Sequence, residues 1–305
     1  MARLSPMSNP TVPVLRCLLA VSCIMSALAA GPIVATADSF RVVAANLSSG
    51  TGQAYSLDNG AHSNIEGAGA RILKGLKPDI VLIQELNVGD GSQSFLRQWV
   101  NKTLGPEYSV FRESGPGIPN GIISRFPLVE QGEWDDTRQG NRDFAWARIK
   151  LPNGKNLWAI SVHFYSQKPA VRNLEAFELL QYVRGKIPAE DLVVLGGDFN
   201  TDHRGEQCVK TLSSYFHTTG PQPIDGLGDG DTNSSRRKPY DWVLADQDLQ
   251  KFAVPVKIGG LEFAGGFVLD TRTFDALEAI APAQRNDSGV EGMQHMAVVR
   301  DFSLN

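Results

Sequence analysis

Residues 192–200 read Leu-Val-Val-Leu-Gly-Gly-Asp-Phe-Asn, and this stretch determines the predicted fold class. An unbroken apolar run of this kind is typical of a strand that is buried on both faces. The run ends at paired glycines and then at Asp198 and Asn200, which bring polar chemistry to the end of a buried strand. Residues 80–83, Ile-Val-Leu-Ile, form a second such run, and it ends at Gln84-Glu85. Strands of this kind predict an α/β fold whose sheets are covered on both faces.

The sequence around these runs alternates between helix and strand patterns. A capping pattern at Ser63 and Glu66, followed by apolar residues at helical spacing, predicts a helix that stops at Lys77-Pro78. A second helix is predicted over residues 169–184, closed by Gly185. This mixture predicts sheets packed on each other with helices outside, within one domain. The other predicted strands cover residues 40–45, 107–111, 120–124, 128–134, 143–150, 156–162, 240–244 and 296–299.

Polar residues stand at six predicted strand ends. Any one of them is weak support for a site, because the chain turns into water at strand ends and polar residues belong there. The joint pattern is stronger, since each residue has the chemistry of a metal ligand, a general base or a phosphate-stabilising donor. Sheets commonly gather strand ends at one rim, where a ligand crevice forms. The residues are Asn46, Glu85, His163, Asp198, Asp241 and His295.

Short motifs around these residues resemble those of the endonuclease/exonuclease/phosphatase superfamily. That family includes pancreatic-type deoxyribonuclease, apurinic endonucleases, neutral sphingomyelinases and inositol polyphosphate phosphatases. The motifs follow the family's order and extend from residue 40 to residue 302. The resemblance implies a four-layered α/β sandwich, in which two central mixed β-sheets are flanked by helices. The matching motifs are Ala45-Asn46, Gln84-Glu85, Asn120–Pro127, Val162-His163, Gly197–Asn200, Tyr240-Asp241 and Gln294-His295.

The resemblance also implies catalytic roles. Asp198 corresponds to the base that activates the attacking water, and Asn200 corresponds to the residue that orients that water and the phosphate. His295 corresponds to the histidine that donates to a non-bridging phosphate oxygen. Asp241 corresponds to the carboxylate that holds this histidine in the required tautomer. His163 corresponds to a second histidine that faces the phosphate.

Metal and substrate binding are implied at other matched positions. Glu85 corresponds to the glutamate that holds the divalent metal, and Asn46 helps to place the metal or a phosphate oxygen. Mg²⁺ is the expected ion, with Mn²⁺ or Ca²⁺ as alternatives, because carboxylates suit hard cations that prefer oxygen ligands. Arg142 lies where relatives often place a phosphate-binding arginine. Asn120, within its matched motif, is the other predicted substrate-binding residue.

One position departs from the family pattern. Relatives usually carry aspartate before the final histidine, and here that residue is Gln294. A neutral amide still offers an oxygen, but it supplies no charge to a metal. Three interpretations remain open: a single metal held at Glu85, a replacement carboxylate from Asp287 or Glu291, or a weakened or inactive site.

The N-terminal segment predicts export. Residues 1–37 combine basic residues, no acidic residue, a short apolar core and A-x-A exits, as secretory signal peptides do. We therefore expect residues 38–305 to form one monomeric domain, periplasmic or secreted, without a stable membrane span. The alternatives are an uncleaved anchor and a lipid anchor, since Val21-Ser22-Cys23 partly resembles a lipobox. Only Cys208 remains after this segment, so no intramolecular disulfide is expected.

Charge and motifs together rank the possible functions. The chain has a net charge of −4, whereas proteins that depend on non-specific duplex binding usually carry a basic face. The first hypothesis is a metal-dependent phosphodiesterase with nucleic acid as its first-choice substrate. The alternative is a lipid or small-molecule phosphoester hydrolase, for which residues 259–267 are the candidate apolar entry loop. The third hypothesis is a binding protein on the same scaffold, catalytically weakened by Gln294.

Overall fold

Strands and helices alternate along most of the chain. The structure is a computed structural model that describes residues 1–2, 39–47, 63–114 and 117–305. The rest of the predicted signal peptide lies outside these residues, as do the side chains of the capping pattern at Ser63 and Glu66. All described helices and strands belong to one compact unit, Thr36–Asn305.

The bounds of the elements are as follows. The strands are β1 (Ser39–Ala45), β2 (Ile80–Ile83), β3 (Ser109–Arg112), β4 (Gly121–Ser124), β5 (Leu128–Trp134), β6 (Phe144–Lys150), β7 (Asn156–His163), β8 (Leu192–Asp198), β9 (Asp241–Ala245), β10 (Ala253–Val254), β11 (Val256–Ile258), β12 (Leu261–Phe263), β13 (Phe267–Leu269) and β14 (Ala297–Ser303). The helices are α1 (Ser63–Leu76), α2 (Gln93–Thr103), α3 (Pro169–Lys186), α4 (Gln207–Leu212) and α5 (Gln247–Gln250), with 3-10 turns at Leu277–Ile280 and Asp287–Gly289.

The strands of the described residues form two large mixed sheets and one small hairpin. The first sheet has the order β10-β14-β1-β2-β4-β3, with β13 also beside β14. In it β1 runs parallel to β2 and antiparallel to β14. The second sheet has the order β5-β6-β7-β8-β9, and only its β7–β8 pair is parallel. The hairpin consists of β11 and β12.

Three apolar clusters separate the layers of the fold. Leu82 from the first sheet and Val194 from the second belong to the cluster between the sheets. Their strand neighbours point the other way, since Val81 packs with α1 and α2 and Leu195 packs with α3 and α4. The resulting order of helices, sheet, sheet and helices is the predicted four-layered α/β sandwich, which confirms the predicted fold class. It also explains why β2 and β8 are apolar at every central position.

The sheets approach closely at the paired glycines of β8. A Cβ atom on Gly196 would lie 2.8 Å from Leu82 Cδ1, and one on Gly197 would lie 2.7 Å from Gln84 Nε2. Gly197 also has a φ of +133°, which residues with a Cβ rarely adopt. Gln84 Nε2 donates to Ser161 Oγ at 2.8 Å and links the sheets at the same place. The glycines therefore allow polar strand ends from both sheets to meet.

Some local predictions were wrong. Gly185 does not close α3, because the helix continues through it to Lys186. The sequence patterns also missed α2, although Ser92 Oγ caps it by accepting from the Phe95 N–H at 3.1 Å. The periodic apolar signal of α2 is short, because only four of its residues are buried: Leu96, Trp99, Val100 and Thr103.

The candidate apolar entry loop, residues 259–267, has an exposed turn, but its aromatic side chains belong to the core. It contains the turn and second strand of the β11–β12 hairpin and the start of β13. Phe263 and Phe267 are buried, and their ring centroids lie 4.5 Å apart. Leu261 is its one large exposed apolar side chain. The prediction of an apolar entry loop is therefore wrong, because its aromatic residues pack inward.

Among the helices of the described residues, none combines the length and apolar character needed to cross a bilayer.

Candidate active site

Four of the predicted site residues meet where the two sheets end. Asn46 follows β1 and Glu85 follows β2, while Asp198 is the last residue of β8. Asn46 Nδ2 lies 3.1 Å from Glu85 Oε1, 3.2 Å from Asp198 Oδ2 and 3.4 Å from His295 Nε2. All four side chains are buried. Residues that are far apart in the sequence therefore share one small volume at this rim.

Asp198 lies at the centre of this cluster. Its Oδ2 atom is 3.2 Å from Asn200 Nδ2, 3.2 Å from His163 Nε2 and 3.6 Å from His295 Nε2. Its Oδ1 atom accepts a hydrogen bond from the Asn200 backbone N–H at 2.8 Å. This number of donors fixes a buried carboxylate in one orientation.

The protonation of Asp198 follows from its surroundings. Burial raises the pKa of Asp198 to about 7; the His295 charge opposes this rise, while the Asp241 and Glu85 carboxylates add to it. A base is most effective when its pKa lies near the working pH. Burial also lowers the pKa of His163 well below its ordinary value, as do the charges of Arg142 and His295. A neutral His163 then donates its Nε2–H to Asp198.

His295 is held in place by Asp241. The Nδ1 atom of His295 lies 3.0 Å from Asp241 Oδ2, and the Asp241 N–H donates to Thr232 Oγ1 at 2.7 Å. Burial lowers the pKa of His295, but the Asp241 and Asp198 carboxylates outweigh this effect and raise it to about 10. The imidazolium therefore presents its Nε2–H toward the centre of the cluster, where it can donate to an anion.

Two of the site residues have left-handed backbone conformations. Glu85 and Asn200 both have a φ of +52°, and each stands at the end of a central strand. A residue with a side chain is strained in this region and keeps the conformation only where its surroundings hold it. The Leu86 N–H donates to Pro119 O at 2.8 Å, and Asn200 Nδ2 donates to Phe164 O at 3.0 Å. Strain of this kind clusters at functional sites, which singles out these two turns.

The two predicted substrate-binding residues lie near the cluster and are engaged by backbone groups. Arg142 Nε donates to His163 O at 2.5 Å, and its Nη2 donates to Phe164 O at 3.2 Å. Burial lowers the pKa of Arg142, and the charge of Asp198 opposes this shift. Asn120 is fully buried, and its Nδ2 donates to Asp143 O at 2.7 Å. In this structure both side chains donate to backbone carbonyl oxygens of neighbouring segments. Their contact with substrate stays a prediction.

A polar pair behind β7, the buried Glu175 and the half-buried Gln139, was missed by the sequence analysis. Glu175, on α3, is fully buried and accepts from the Tyr165 N–H through both of its oxygens, at 3.1 and 2.9 Å. Gln139 Nε2 donates to Glu175 Oε1 at 2.6 Å and to His163 O at 3.1 Å. The pair therefore fixes the peptide that follows His163. The sequence feature that could have revealed this pair is a glutamate on the buried face of α3, next to Ala176.

The oxygen atoms of the cluster fit a divalent cation. Glu85 and Asp198 offer carboxylates and Asn46 offers an amide oxygen, the donors that Mg²⁺ prefers. Asp198, Asp241 and His295 also place one possible ligand atom each within 4.8 Å of one another. We favour the position near Glu85, because His295 and Asp241 already bind each other at 3.0 Å. The amide nitrogen of Asn46 lies between the Glu85 and Asp198 carboxylates, where a cation would be attracted.

The surroundings of Gln294 narrow the interpretations of that position. Gln294 is exposed, and its backbone carbonyl oxygen accepts from the Ser234 N–H at 2.8 Å. Asp287 accepts from Arg71 Nη2 at 2.6 Å and from the Gln284 N–H at 2.8 Å, so its carboxylate already has an arginine partner. These contacts argue against a replacement carboxylate from Asp287, while Glu291, a single metal at Glu85 and a weakened site all stay open.

A comparison with protein families gives a match over most of the chain. The model described as the Endonuclease/Exonuclease/phosphatase family matches residues 61–263. No curated protein sequence matches the chain.

Solved structures with the same fold come from proteins of different activity. TDP2 from D. rerio, complexed with a single-strand DNA product, superimposes with a TM-score of 0.60 and 15% identity, covering 87% of this chain and 99% of that one. A mannosyl-6-phosphatase from Bacteroides thetaiotaomicron gives a TM-score of 0.57 and 15% identity, covering 86% of this chain and 98% of that one. Beta toxin from Staphylococcus aureus gives a TM-score of 0.55 and 17% identity, covering 87% of this chain and 99% of that one. At these identities the likeness shows the fold alone.

Proposed function

Because this chain belongs to the endonuclease/exonuclease/phosphatase family, whose hydrolases act on phosphoesters, we propose that it is a divalent-metal-dependent phosphodiesterase. The observation that carries the proposal is the convergence of Glu85, Asp198 and His295 on the amide of Asn46. A phosphodiester resists attack because it is anionic. Hydrolysis needs a cation on its oxygens, a deprotonated water in line and donors for the developing charge. The cluster has a residue suited to each task.

The attacking water is activated by Asp198. Its carboxylate accepts the proton of the water, which its raised pKa favours. Asn200 Nδ2 lies 3.2 Å from the same carboxylate oxygen and orients the water and the phosphate. His163 donates to Asp198 and keeps the carboxylate directed toward the water. General-base catalysis of this kind contributes roughly 10²–10⁴-fold to a rate.

The charge that develops on the phosphate is stabilised by His295. Its Nε2–H donates to a non-bridging oxygen, while Asp241 holds Nδ1 and keeps the ring positively charged. Losing one such donor typically lowers a rate by roughly 10²–10³-fold. A cation held by Glu85 with Asn46 supplies further positive charge to the phosphate oxygens. Mg²⁺ is our first choice for this cation, with Mn²⁺ and Ca²⁺ as alternatives.

For the substrate we propose nucleic acid first. A lipid substrate would require an apolar surface next to the site, and residues 259–267 were the candidate for it. The aromatic side chains there are buried, and Leu261 is the one large apolar side chain that is exposed, by 45%. A small soluble phosphoester remains the alternative substrate. We also propose that the protein is exported and acts as a monomer, on the basis of residues 1–37 and of the single-domain organisation.

A substrate panel tests the proposal. The purified protein is assayed on plasmid DNA, RNA, sphingomyelin and bis-p-nitrophenyl phosphate with Mg²⁺, Mn²⁺, Ca²⁺ or a chelator. The variant is Asp198→Ala, and Asp248→Ala is the matched control because Asp248 is an exposed aspartate on α5. We expect metal-dependent nicking of DNA that is lost in Asp198→Ala and kept in Asp248→Ala. Cleavage of sphingomyelin without nicking supports a lipid hydrolase, and no turnover on any substrate contradicts an enzymatic function.

A further inference from the structure

One oxygen of Asp241 has no protein partner among the described residues. Asp241 is 2% exposed. Its Oδ2 atom binds His295 Nδ1 at 3.0 Å, but its Oδ1 atom makes no hydrogen bond. Buried polar atoms are nearly always hydrogen-bonded, either to protein or to an internal water. A carboxylate oxygen in this position therefore requires a donor.

A small cavity has Asp241 among its lining residues. Its volume is about 10 Å³. A single water needs roughly 10–15 Å³ of such space and two to four polar partners. The polar residues around it are Asp241, Thr232, Gly230, Gln222 and Arg204, and Val298 is part of its apolar wall.

We infer that this cavity is a binding site for one internal water, which donates a hydrogen bond to Asp241 Oδ1. The volume is too small for a phosphate or for a second water. Cations are disfavoured by the Arg204 guanidinium, which lies 4.9 Å above the Trp242 ring. Anions are disfavoured by the Asp241 carboxylate. A neutral molecule that both donates and accepts satisfies the two charged residues at once.

Several groups around the cavity can hold such a water. Thr232 Oγ1 accepts from the Asp241 N–H at 2.7 Å, so its own hydroxyl hydrogen can be donated to the water. The Gly230 carbonyl oxygen accepts from Arg204 Nη2 at 2.6 Å and keeps a second lone pair. Arg204 Nη1 donates to Gln222 Oε1 at 3.0 Å, which fixes the guanidinium beside the cavity.

The water acts on catalysis through Asp241, so its effect on turnover rests on the proposed function. With a donor on Oδ1, the carboxylate keeps its orientation toward His295. Without that donor, the carboxylate can rotate toward another partner, and the His295 ring loses its fixed position. Removing a group that orients a catalytic side chain without contacting the substrate commonly lowers activity by about 10–100-fold. The residues that hold the water are therefore positioning residues for His295.

The test uses two neighbouring valines of β14 as a matched pair. Val298 lines the cavity, whereas Val299 belongs to the apolar cluster on the opposite face of the sheet. Val298→Ile adds one carbon to the cavity wall and excludes the water, while Val299→Ile adds the same carbon elsewhere. Both variants are checked for folding by thermal unfolding and are then assayed at several pH values. Crystal structures of the wild type and of both variants are determined at a resolution that shows ordered waters.

We expect a water within hydrogen-bond distance of Asp241 Oδ1 in the wild type and in Val299→Ile, and none in Val298→Ile. In the same series kcat falls by about 10-fold or more in Val298→Ile with little change in KM, and the alkaline limb of its pH profile moves to lower pH. A wild-type crystal in which no water reaches Asp241 Oδ1 overturns the inference, whether or not the protein is a phosphodiesterase. Unchanged kcat in a Val298→Ile protein that has lost the water overturns the positioning role. Should Val298→Ile fail to fold, Val268→Ile gives the same comparison against Val299→Ile, because Val268 also lines the cavity.

Discussion

His295 and Asp241 are joined by a hydrogen bond of 3.0 Å between Nδ1 and Oδ2, and the other ring nitrogen of His295 points toward Asp198. The imidazole thus lies between two carboxylates, one on each side of the ring. This arrangement explains why the pKa of His295 is raised even though the ring is buried, since the attraction of Asp241 and Asp198 outweighs the effect of burial. It also gives the two carboxylates different roles, because Asp241 binds Nδ1 of the ring whereas Asp198 lies on the Nε2 side.

Replacing Asp241 by asparagine tests this relationship. Asp241→Asn keeps the shape of the side chain but removes the charge that holds His295 protonated, so the ring can adopt the wrong tautomer. We expect kcat to fall by roughly 10²–10³-fold with KM nearly unchanged. The measurement is steady-state kinetics on the best substrate of the panel. A fall in metal affinity with unchanged kcat would instead place Asp241 among the metal ligands.

Restoring the family's usual residue at Gln294 tests the single-metal interpretation. Gln294→Asp adds a carboxylate beside His295, and carboxylate count is a main determinant of divalent-cation affinity. We expect the variant to bind Mg²⁺ more tightly, as measured by calorimetry, and to change kcat much less. If it converts an inert protein into an active one, the wild-type site is inactive and the proposal of a working enzyme is wrong.

The polar pair behind β7, Glu175 and Gln139, gives a prediction for residues outside the sequence motifs. Glu175→Leu removes the acceptor of the Tyr165 N–H and loosens the peptide after His163, so we expect kcat to fall by about 10–100-fold. Glu175→Gln keeps an acceptor and is expected to restore most of the activity. Glu190→Leu, an exposed position after α3, serves as control. Equal activity of the Leu and Gln variants would show that Glu175 has no positioning role.

Glu113 makes a prediction about stability and pH. It is 1% exposed and accepts the N–H groups of Asn120 and Asp143, at 2.8 and 3.2 Å, through a single oxygen. Burial raises the pKa of Glu113 to about 8. Between the pKa of the unfolded chain, near 4.5, and this value, the folded state binds more protons, so its stability falls as the pH rises.

The Glu113→Gln variant removes this dependence while keeping an oxygen acceptor. We compare the free energy of unfolding of the variant with that of wild type at each pH. The difference, variant minus wild type, is expected to rise by an amount on the order of a few kcal/mol from acidic pH to pH above 8. Urea unfolding of both proteins at both pH values provides the comparison, and the double difference cancels the other titrating groups. A difference between the two proteins that is constant across pH would contradict a raised pKa at Glu113.

Sequence patterns could predict the parts of the site that lie at the ends of apolar strands, but not those that depend on contacts between distant segments. That Asp198 and Glu85 lie close together could be predicted, because both carboxylates follow apolar runs of buried strands; their catalytic roles stay a prediction. Gly196-Gly197 was visible as a motif, but its function in sheet packing needed the position of Leu82 in the other sheet.

Glu175 could not be found in the same way. Its partner Gln139 lies 36 positions away in a loop, and no local pattern connects the two. The left-handed conformations of Glu85 and Asn200 were also outside the reach of sequence patterns, because glycine is the residue that usually marks them. The contacts of Leu86 and Asn200 with other loops hold those turns. Tertiary packing therefore supplied what the periodic signals did not.

The central claim is that Glu85, Asp198, Asn200 and His295 act on one phosphate together with one divalent ion. Its most direct test is a crystal structure of the Asp198→Asn variant, soaked with Mg²⁺ and a short nucleic-acid substrate. The account predicts an ion ligated by Glu85 and a scissile phosphate whose non-bridging oxygens lie within hydrogen-bond distance of His295 Nε2 and Asn200 Nδ2. A phosphate bound elsewhere, or an ion bound away from Glu85, would contradict it.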